Sequence, residues 1–101
     1  GSIEDNHLGG WYSYRASKTA HNMFVKTISI EAKSKYPELC IVAYHPGTVD
    51  TKLSKPFTKR YPKEKLFSPE RAVQELLSVV SILRPTDSGG FFAWDGSSIQ
   101  Y

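Results

Sequence analysis

Tyr14 and Lys18 are the residues of this 101-residue chain whose types and spacing best suit chemistry. Residues four positions apart lie on one face of a helix, so the two side chains would point into the same space. A phenol ionises only near pH about 10, and a neighbouring ammonium lowers its pKa by favouring the phenolate. A tyrosine tuned in this way can exchange a proton with a substrate oxygen. The pair therefore predicts acid–base catalysis, although exposed helices also carry such pairs by chance.

The helix that carries this pair is predicted to run from Trp11 or Ser13 to Lys35. Apolar and small residues recur there at three- and four-residue spacing, which is typical of a helix with a packed face. The members of this stripe are Ala16, Ala20, Met23, Phe24 and Thr27, widened by Val25, Ile28 and Ala32. So wide a stripe predicts burial on two sides. Tyr36-Pro37 ends the helix, because the residue before a proline avoids helical geometry.

A continuous apolar run over residues 39–44 then has the length of a strand. Runs without alternation are typical of parallel strands covered on both faces. His45-Pro46-Gly47 stops the run and places a loop at the strand's carboxyl end, where open α/β sheets bind ligands. Cys40 lies inside the run and is predicted to be a small buried hydrophobe. As the single cysteine it forms no intrachain disulfide, which is consistent with a reduced, intracellular setting.

A basic segment follows, and we predict a loop with a short helical turn for residues 52–67. Six lysine and arginine side chains there face the single carboxylate of Glu64. Such a segment is either a solvated loop or a surface for phosphate or nucleic acid. The basic residues are Lys52, Lys55, Lys59, Arg60, Lys63 and Lys65.

The last third of the chain is predicted to hold a second helix and a second strand. Ser68-Pro69-Glu70 begins the helix, because it combines a cap residue, a proline at the first position and an acid in the first turn. Arg84-Pro85 ends it. A turn over residues 87–90, a short strand over residues 91–94 and a turn at Asp95-Gly96 follow. The apolar face of this helix is Val73, Leu76, Leu77, Val80 and Leu83.

Several separated motifs together resemble the short-chain dehydrogenase/reductase family. Tyr-x-Ala-Ser-Lys occupies residues 14–18 and is followed, after the predicted strand, by Pro-Gly-Thr-Val-x-Thr over residues 46–51. Residues 1–3, 9–15 and 91–96 look like the C-factor and sniffer-type carbonyl reductase branch of that family. The resemblance extends over essentially the whole chain.

The resemblance implies an α/β fold, namely the C-terminal part of a Rossmann-like, doubly wound parallel sheet with two strands and two main helices. Family members are much longer and begin with a glycine-rich loop that binds a dinucleotide, and these 101 residues contain no such fingerprint. Residues 1–101 are therefore expected to be the catalytic, substrate-side portion, without the N-terminal dinucleotide-binding half. We expect this portion to be inactive by itself.

The family's functional roles carry over to matching positions of this sequence. Tyr14 would be the general acid in carbonyl reduction and the general base in alcohol oxidation. Lys18 would lower the pKa of Tyr14 and hydrogen-bond the nicotinamide ribose of NAD or NADP. Ser2, twelve residues before Tyr14, would position the substrate oxygen. Its spacing is one residue shorter than is usual in the family, so a serine upstream, with Gly1-Ser2 a cloning remnant, is the alternative. The segment that packs on the nicotinamide end would be Pro46, Gly47, Val49 and Thr51.

Two other function classes stay open beside the oxidoreductase. One is a non-catalytic module that self-associates through exposed helices, and family members commonly form homo-oligomers. The other is a basic nucleic-acid binder that uses residues 52–65. A small-molecule carbonyl or alcohol is the expected substrate, but the sequence distinguishes neither the substrate nor NAD from NADP.

Membrane and metal partners are not expected. No apolar run approaches the about 20 residues of a membrane span. The first ten residues are polar, unlike a signal peptide, so a cytoplasmic protein is expected. His7, His21 and His45 are scattered without the spacing of metal ligands, so no metal site is predicted.

Overall fold

The computed structural model describes residues 2–101, and Gly1 lies outside them. Two long helices, a one-turn helix and two short strands make up the described chain. In chain order they are α1 (Tyr12–Lys35), β1 (Ala43–His45), α2 (Lys55–Thr58), α3 (Pro69–Ile82) and β2 (Phe91–Ala93), with 3-10 turns at Lys63–Lys65 and Pro85–Asp87. None of the helices within residues 2–101 has the length and hydropathy needed to cross a membrane.

Helix α1 begins and ends within a residue or two of its predicted bounds. The backbone of Gly9, Gly10 and Trp11 lies in the left-handed region, so the chain turns sharply before the first helical residue. At the other end, the Tyr36 amide donates to the Ala32 carbonyl at 2.7 Å before Pro37 stops the helix. The basic residues of the last turn face the partial negative charge of this helix end.

The two strands pair in parallel, as an α/β fold requires. Ala43 pairs with Phe91 and His45 with Ala93, and the long connection through α3 is the crossover that parallel strands need. The predicted strand over residues 39–44 was too long at its start. The Ile41 amide and carbonyl bond to the turn before β2, with the Gly89 amide donating to Ile41 at 2.7 Å. Because β2 begins only at Phe91, residues 39–42 have no strand to pair with among residues 2–101.

The chain after β2 folds back along that strand. The Gly96 amide donates to the Ala93 carbonyl at 2.9 Å, which confirms the predicted turn at Asp95-Gly96. The Ile99 amide then donates to Phe91, and the Tyr101 ring stacks on the Phe91 ring with centroids 5.8 Å apart. A small core forms around this point. Its members are Val25, Ala43 and Phe91, with Ile41 and Ile99 packed against them.

Helix α3 begins as predicted, because the Ser68 hydroxyl accepts a hydrogen bond from the Arg71 amide at 3.2 Å and Pro69 occupies the first position. Its apolar face, however, is largely exposed. The predicted burial of α1 on two sides is likewise wrong within this chain, since α1 buries Asn22, Val25 and Ser29 and exposes Met23 and Phe24. A helix buries only the face that a neighbour covers, and the described residues supply a neighbour on one side only.

Candidate functional site

Tyr14 and Lys18 lie together on the first turns of α1. The Lys18 ammonium nitrogen is 5.7 Å from the centroid of the Tyr14 ring, a cation–π distance. The Tyr14 side chain is 56% exposed, so its hydroxyl can be reached from solution. The four-residue spacing of the sequence therefore does bring a phenol and an ammonium to one accessible patch.

The side chain of Arg15 fixes the start of α1. Its guanidinium donates to the Gly10 carbonyl at 2.9 Å and to the Gly9 carbonyl at 3.2 Å. These bonds satisfy two carbonyls in a turn that has no regular ladder. The Trp11 ring also meets the Phe57 ring of α2, with centroids 4.7 Å apart. The Tyr14 turn is therefore held from both the preceding loop and the basic segment.

Ser2 makes its hydrogen bonds with residues near the two ends of the chain. Its hydroxyl donates to the Gln100 carbonyl and accepts from the Asp5 amide at 3.3 Å. Among residues 2–101 it makes no hydrogen bond with Tyr14 or Lys18. Its role as a substrate-positioning serine stays a prediction.

The loop after β1 holds the four residues expected at a nicotinamide ring. Gly47 has a φ of +81°, and a Cβ there would lie 2.6 Å from the Phe67 ring, so only glycine fits. The Phe67 amide donates to the Thr48 carbonyl, and the Asp50 amide donates to the Phe67 carbonyl, both at 2.9 Å. This pattern is one parallel bridge between Val49 and Phe67. The N–H of Val49 consequently points away from Phe67.

The end of this loop is closed by hydroxyl groups. The Ser54 hydroxyl donates to the Val49 carbonyl at 2.5 Å and accepts from the Thr51 amide at 3.0 Å. The Ser54 amide in turn donates to the Thr51 hydroxyl at 3.2 Å. The loop of Pro46, Gly47, Val49 and Thr51 is thus a fixed shelf at the carboxyl end of β1. This position of the loop was predicted from the order of the residues in the sequence alone.

No protein-family model matches the chain. Curated relatives do match, and their similarity spans the whole chain. The chain is 32% identical to an uncharacterized oxidoreductase of Schizosaccharomyces pombe and 36% identical to 1-hydroxy-2-glutathionyl-2-methyl-3-butene dehydrogenase of Rhodococcus. It is 35% identical to C-signal of Myxococcus xanthus. The chain spans 43%, 42% and 55% of the lengths of these three proteins.

Solved structures agree with these relatives. Carbonyl reductase Sniffer of D. melanogaster superposes on 99% of this chain with a TM-score of 0.83 and 27% identity. An NADPH-bound carbonyl reductase from chicken fatty liver superposes on 99% of it with a TM-score of 0.82 and 31% identity. The chain covers 37% and 38% of those two structures. This chain is a homologue of the short-chain dehydrogenases/reductases. Its α/β fold corresponds to one part of the Rossmann-like fold of those carbonyl reductases.

The sequence did not reveal how this short-chain dehydrogenase/reductase homologue supports the loop after β1. The Arg71 guanidinium lies 3.9 Å above the Phe67 ring, and the Phe67 ring meets the Trp94 ring edge-on at 4.8 Å. Arg71 also pairs with Glu75 at 2.7 Å on α3. The signal in the sequence was the Arg-x-x-x-Glu spacing beside an aromatic residue. The cluster matters because the same Phe67 ring blocks any side chain at position 47.

Two clefts open around this support. The smaller, about 370 Å³, lies beside Gly47 and Thr48 and is also lined by His45 and Trp94. Partial burial lowers the pKa of the His45 imidazole, and the Asp5 carboxylate opposes that shift. The larger cleft, about 800 Å³, lies between α2 and the loop that leads to α3. Within residues 2–101, no three His, Cys, Asp or Glu side chains are arranged to hold a metal ion.

Proposed function

We propose that residues 1–101 are the catalytic and substrate-side part of an NAD(P)-dependent oxidoreductase that interconverts a carbonyl compound and an alcohol. The observation that carries the proposal is the Lys18 ammonium beside the exposed Tyr14 ring, in a chain that superposes over nearly its whole length on carbonyl reductases. Because the chain spans about half or less of most of these proteins, the activity of a complete enzyme remains a proposal.

The residues present suit a nicotinamide ring on the shelf after β1. The Val49 N–H points away from its bridge to Phe67, and the Ser54 hydroxyl holds the Val49 carbonyl and the Thr51 amide in place beside it. A carboxamide could accept a hydrogen bond from that N–H. When bound, NAD(P)H supplies the hydride that is added to the carbonyl carbon.

The protein's own part in the reaction is to hold and move a proton. In reduction, the Tyr14 hydroxyl donates its proton to the carbonyl oxygen as that oxygen gains negative charge. The Lys18 ammonium stabilises the negative charge left on the Tyr14 oxygen. In oxidation the same oxygen accepts the alcohol proton. Both roles need Tyr14 to be accessible.

A fusion protein tests this proposal. Residues 1–101 are joined behind the dinucleotide-binding half of the chicken carbonyl reductase, and NADPH oxidation is followed with a panel of ketones. We expect turnover that falls about 10²–10⁴-fold in Tyr14→Phe, because the proton donor is lost while the ring is kept. Lys18→Met should be nearly as severe. Ser2→Ala should cost less, about 0.5–1.5 kcal/mol, if it removes one positioning hydrogen bond.

The matched control is Tyr12→Phe. Tyr12 is also exposed and lies two residues earlier, so it points away from Lys18. It should retain nearly full activity. The 101 residues alone should show no turnover, because they contain no glycine-rich phosphate loop. Full activity in Tyr14→Phe would contradict the proposed acid–base role.

A second candidate function, self-association, is favoured by the exposed helix faces. On α1 the Met23 and Phe24 side chains are 68% and 63% exposed, and on α3 Val73, Leu77 and Val80 are exposed as well. Contiguous apolar surface of this kind is typical of protein contacts. We propose a homo-oligomer through these faces.

Sedimentation at micromolar concentration tests the oligomer. The chain should sediment as a species larger than its 11.4 kDa monomer. Met23→Gln with Phe24→Gln should shift it towards the monomer, whereas His21→Gln, exposed on the same helix, should not. A single 11.4 kDa species for the unmodified chain would contradict self-association.

A further inference from the structure

The larger cleft has an unusual balance of charge and apolar surface. Lys55, Lys59 and Lys63 line it, against the single carboxylate of Asp50. None of these lysines makes an ion pair with another of residues 2–101, where the one salt bridge is Arg71–Glu75. Three unpaired ammonium groups around one concave space repel each other and favour an anion between them.

The remaining lining is suited to an organic body. Pro56, Tyr61 and Leu66 contribute apolar surface between the lysines. A cleft of about 800 Å³ falls in the size range of small-molecule sites. An inorganic ion would leave most of this surface uncovered. The lining therefore favours an anion attached to an apolar group.

The elements that form the cleft are connected to those of the proposed site. Phe57, between lining residues of α2, packs on Trp11, and Tyr14 follows Trp11 by three residues. On the other side, Asp50 belongs to the same loop as Val49 and Thr51. The cleft is therefore built on two elements, α2 and the loop after β1, that also belong to the surroundings of the proposed site.

We propose that this cleft binds the anionic end of the substrate, so that the enzyme acts on carbonyl compounds or alcohols that carry a carboxylate or similar charged group. The inference rests on the proposed function and adds the substrate class. Lys55, Lys59 and Lys63 bind the anionic group, and the apolar lining holds the body of the molecule.

Nucleic acid is the competing ligand, and the distribution of charge distinguishes it. A polyanion would contact the whole basic segment, including Lys52 and Arg60, which do not line the cleft. Its binding would fall steeply with salt, because several counterions are released together. A single organic anion in the cleft needs only the lining lysines and depends less on salt.

The test uses the ¹⁵N-labelled 101-residue chain and a matched pair of ketones in NMR titrations. One probe is 4-acetylbenzoate, and the other is the neutral 4-methylacetophenone of nearly the same shape. We expect 4-acetylbenzoate to shift amide signals of residues lining the cleft and to bind about tenfold more tightly than the neutral ketone, because charge-assisted bonds are the stronger ones.

Two double variants separate cleft from surface. Lys59→Gln with Lys63→Gln should weaken 4-acetylbenzoate binding about tenfold, whereas Lys52→Gln with Arg60→Gln removes equal charge from the same segment and should change it less than about twofold. Equal affinity for the two ketones, or equal weakening by the two double variants, overturns the inference. Tighter binding of a short DNA duplex that both double variants weaken equally also overturns it in favour of nucleic acid.

The outcome is separable from that of the proposed function. Binding is measured from the amide shifts of the 101-residue chain and turnover from NADPH oxidation by the fusion protein, so the two proposals have independent readouts. Binding in the cleft without turnover in the fusion protein would count against the oxidoreductase alone. Turnover of neutral and anionic ketones with equal KM would count against the anionic substrate alone.

Discussion

The strands and helix α1 of this chain differ in the kinds of side chain that they bury. In the strands Ala43, Phe91 and Ala93 are buried, with Ala43 only 2% exposed. In α1 two of the three buried residues are polar, Asn22 and Ser29, while the larger Phe24 faces solution. The apolar side chains that would make a conventional core are therefore divided between an interior and an outer surface.

The difference shows what each element needs. The strands are covered from within the chain, by Val25 of α1 and by Ile41 and Ile99 of the segments that flank the strands. A helix with a wide apolar stripe needs neighbours on more than one side. Here α1 touches the strand layer with its small and polar face, and its large residues stay free for another surface.

The largest loss of stability is expected when a buried ring is removed from a strand. Phe91→Ala deletes a ring that packs in the small core and stacks on Tyr101, and such changes typically cost about 3–5 kcal/mol. In a chain with so small a core we expect loss of the folded state at room temperature, measured by urea unfolding. Phe24→Ala is the control, because its ring is mostly exposed.

At low protein concentration, where association is minimal, Phe24→Ala should change the free energy of unfolding by less than about 0.5 kcal/mol. Equal destabilisation by the two substitutions would show that the outer face of α1 is packed after all, and the contrast between strands and helices would be wrong.

A smaller effect is expected where the loop after β1 meets α3. Gly47→Ala and Gly96→Ala both place a Cβ at positive φ, a strain of about 1–2 kcal/mol. Only at Gly47 does the new atom also meet the Phe67 ring, at 2.6 Å, whereas at Gly96 the nearest atom is 3.8 Å away. Overpacking adds about 1–3 kcal/mol.

Thermal unfolding of the two alanine variants therefore measures the packing term by difference. Gly47→Ala should be the less stable by about 1–3 kcal/mol, because backbone strain is common to both. Equal melting temperatures would mean that Phe67 moves aside freely. The shelf at the end of β1 would then be less fixed than its hydrogen bonds indicate.

Local signals in the sequence were sufficient for much of the fold. The cap at Ser68, the stop at Pro37 and the turn at Asp95-Gly96 are each decided by a few adjacent residues, and each was predicted correctly. The start of β1 was not, because pairing depends on where a distant strand begins. Periodicity also did not predict whether the apolar face of each helix is buried, because it reveals which residues share a face but not what covers that face.

The candidate site divides in the same way. The Tyr14–Lys18 pair follows from four-residue spacing and from one helix, so sequence was enough to bring the two side chains together. The ring of Phe67 beneath Gly47 and the edge-on contact of that ring with Trp94 each join residues at least twenty positions apart in sequence. No local pattern carries such a contact.

The smallest predicted effect concerns Tyr44, where β1 meets α3. The Tyr44 hydroxyl oxygen is shielded from solvent and has no hydrogen-bond partner among residues 2–101, and the same is true of one Glu75 carboxylate oxygen. Burial, the larger cause, and the Glu75 charge raise the pKa of the Tyr44 phenol. The Tyr44 hydroxyl therefore has no hydrogen bond that offsets its removal from water.

Tyr44→Phe keeps the ring and removes only the hydroxyl, so it measures the effect of the hydroxyl alone. Removing a buried, unpartnered hydroxyl is nearly neutral or stabilising, so we expect a gain of about 0–1 kcal/mol at neutral pH. Because the folded pKa of Tyr44 is raised, the unfolded chain loses this proton first as pH rises above about 10, so the free energy of unfolding falls in that range. The phenylalanine variant lacks this alkaline loss, which urea unfolding at pH 7 to 11 measures. The exposed Tyr36→Phe serves as the control. A loss of more than about 1 kcal/mol in Tyr44→Phe at neutral pH would mean that the hydroxyl is partnered in solution, since an unsatisfied group cannot stabilise the fold.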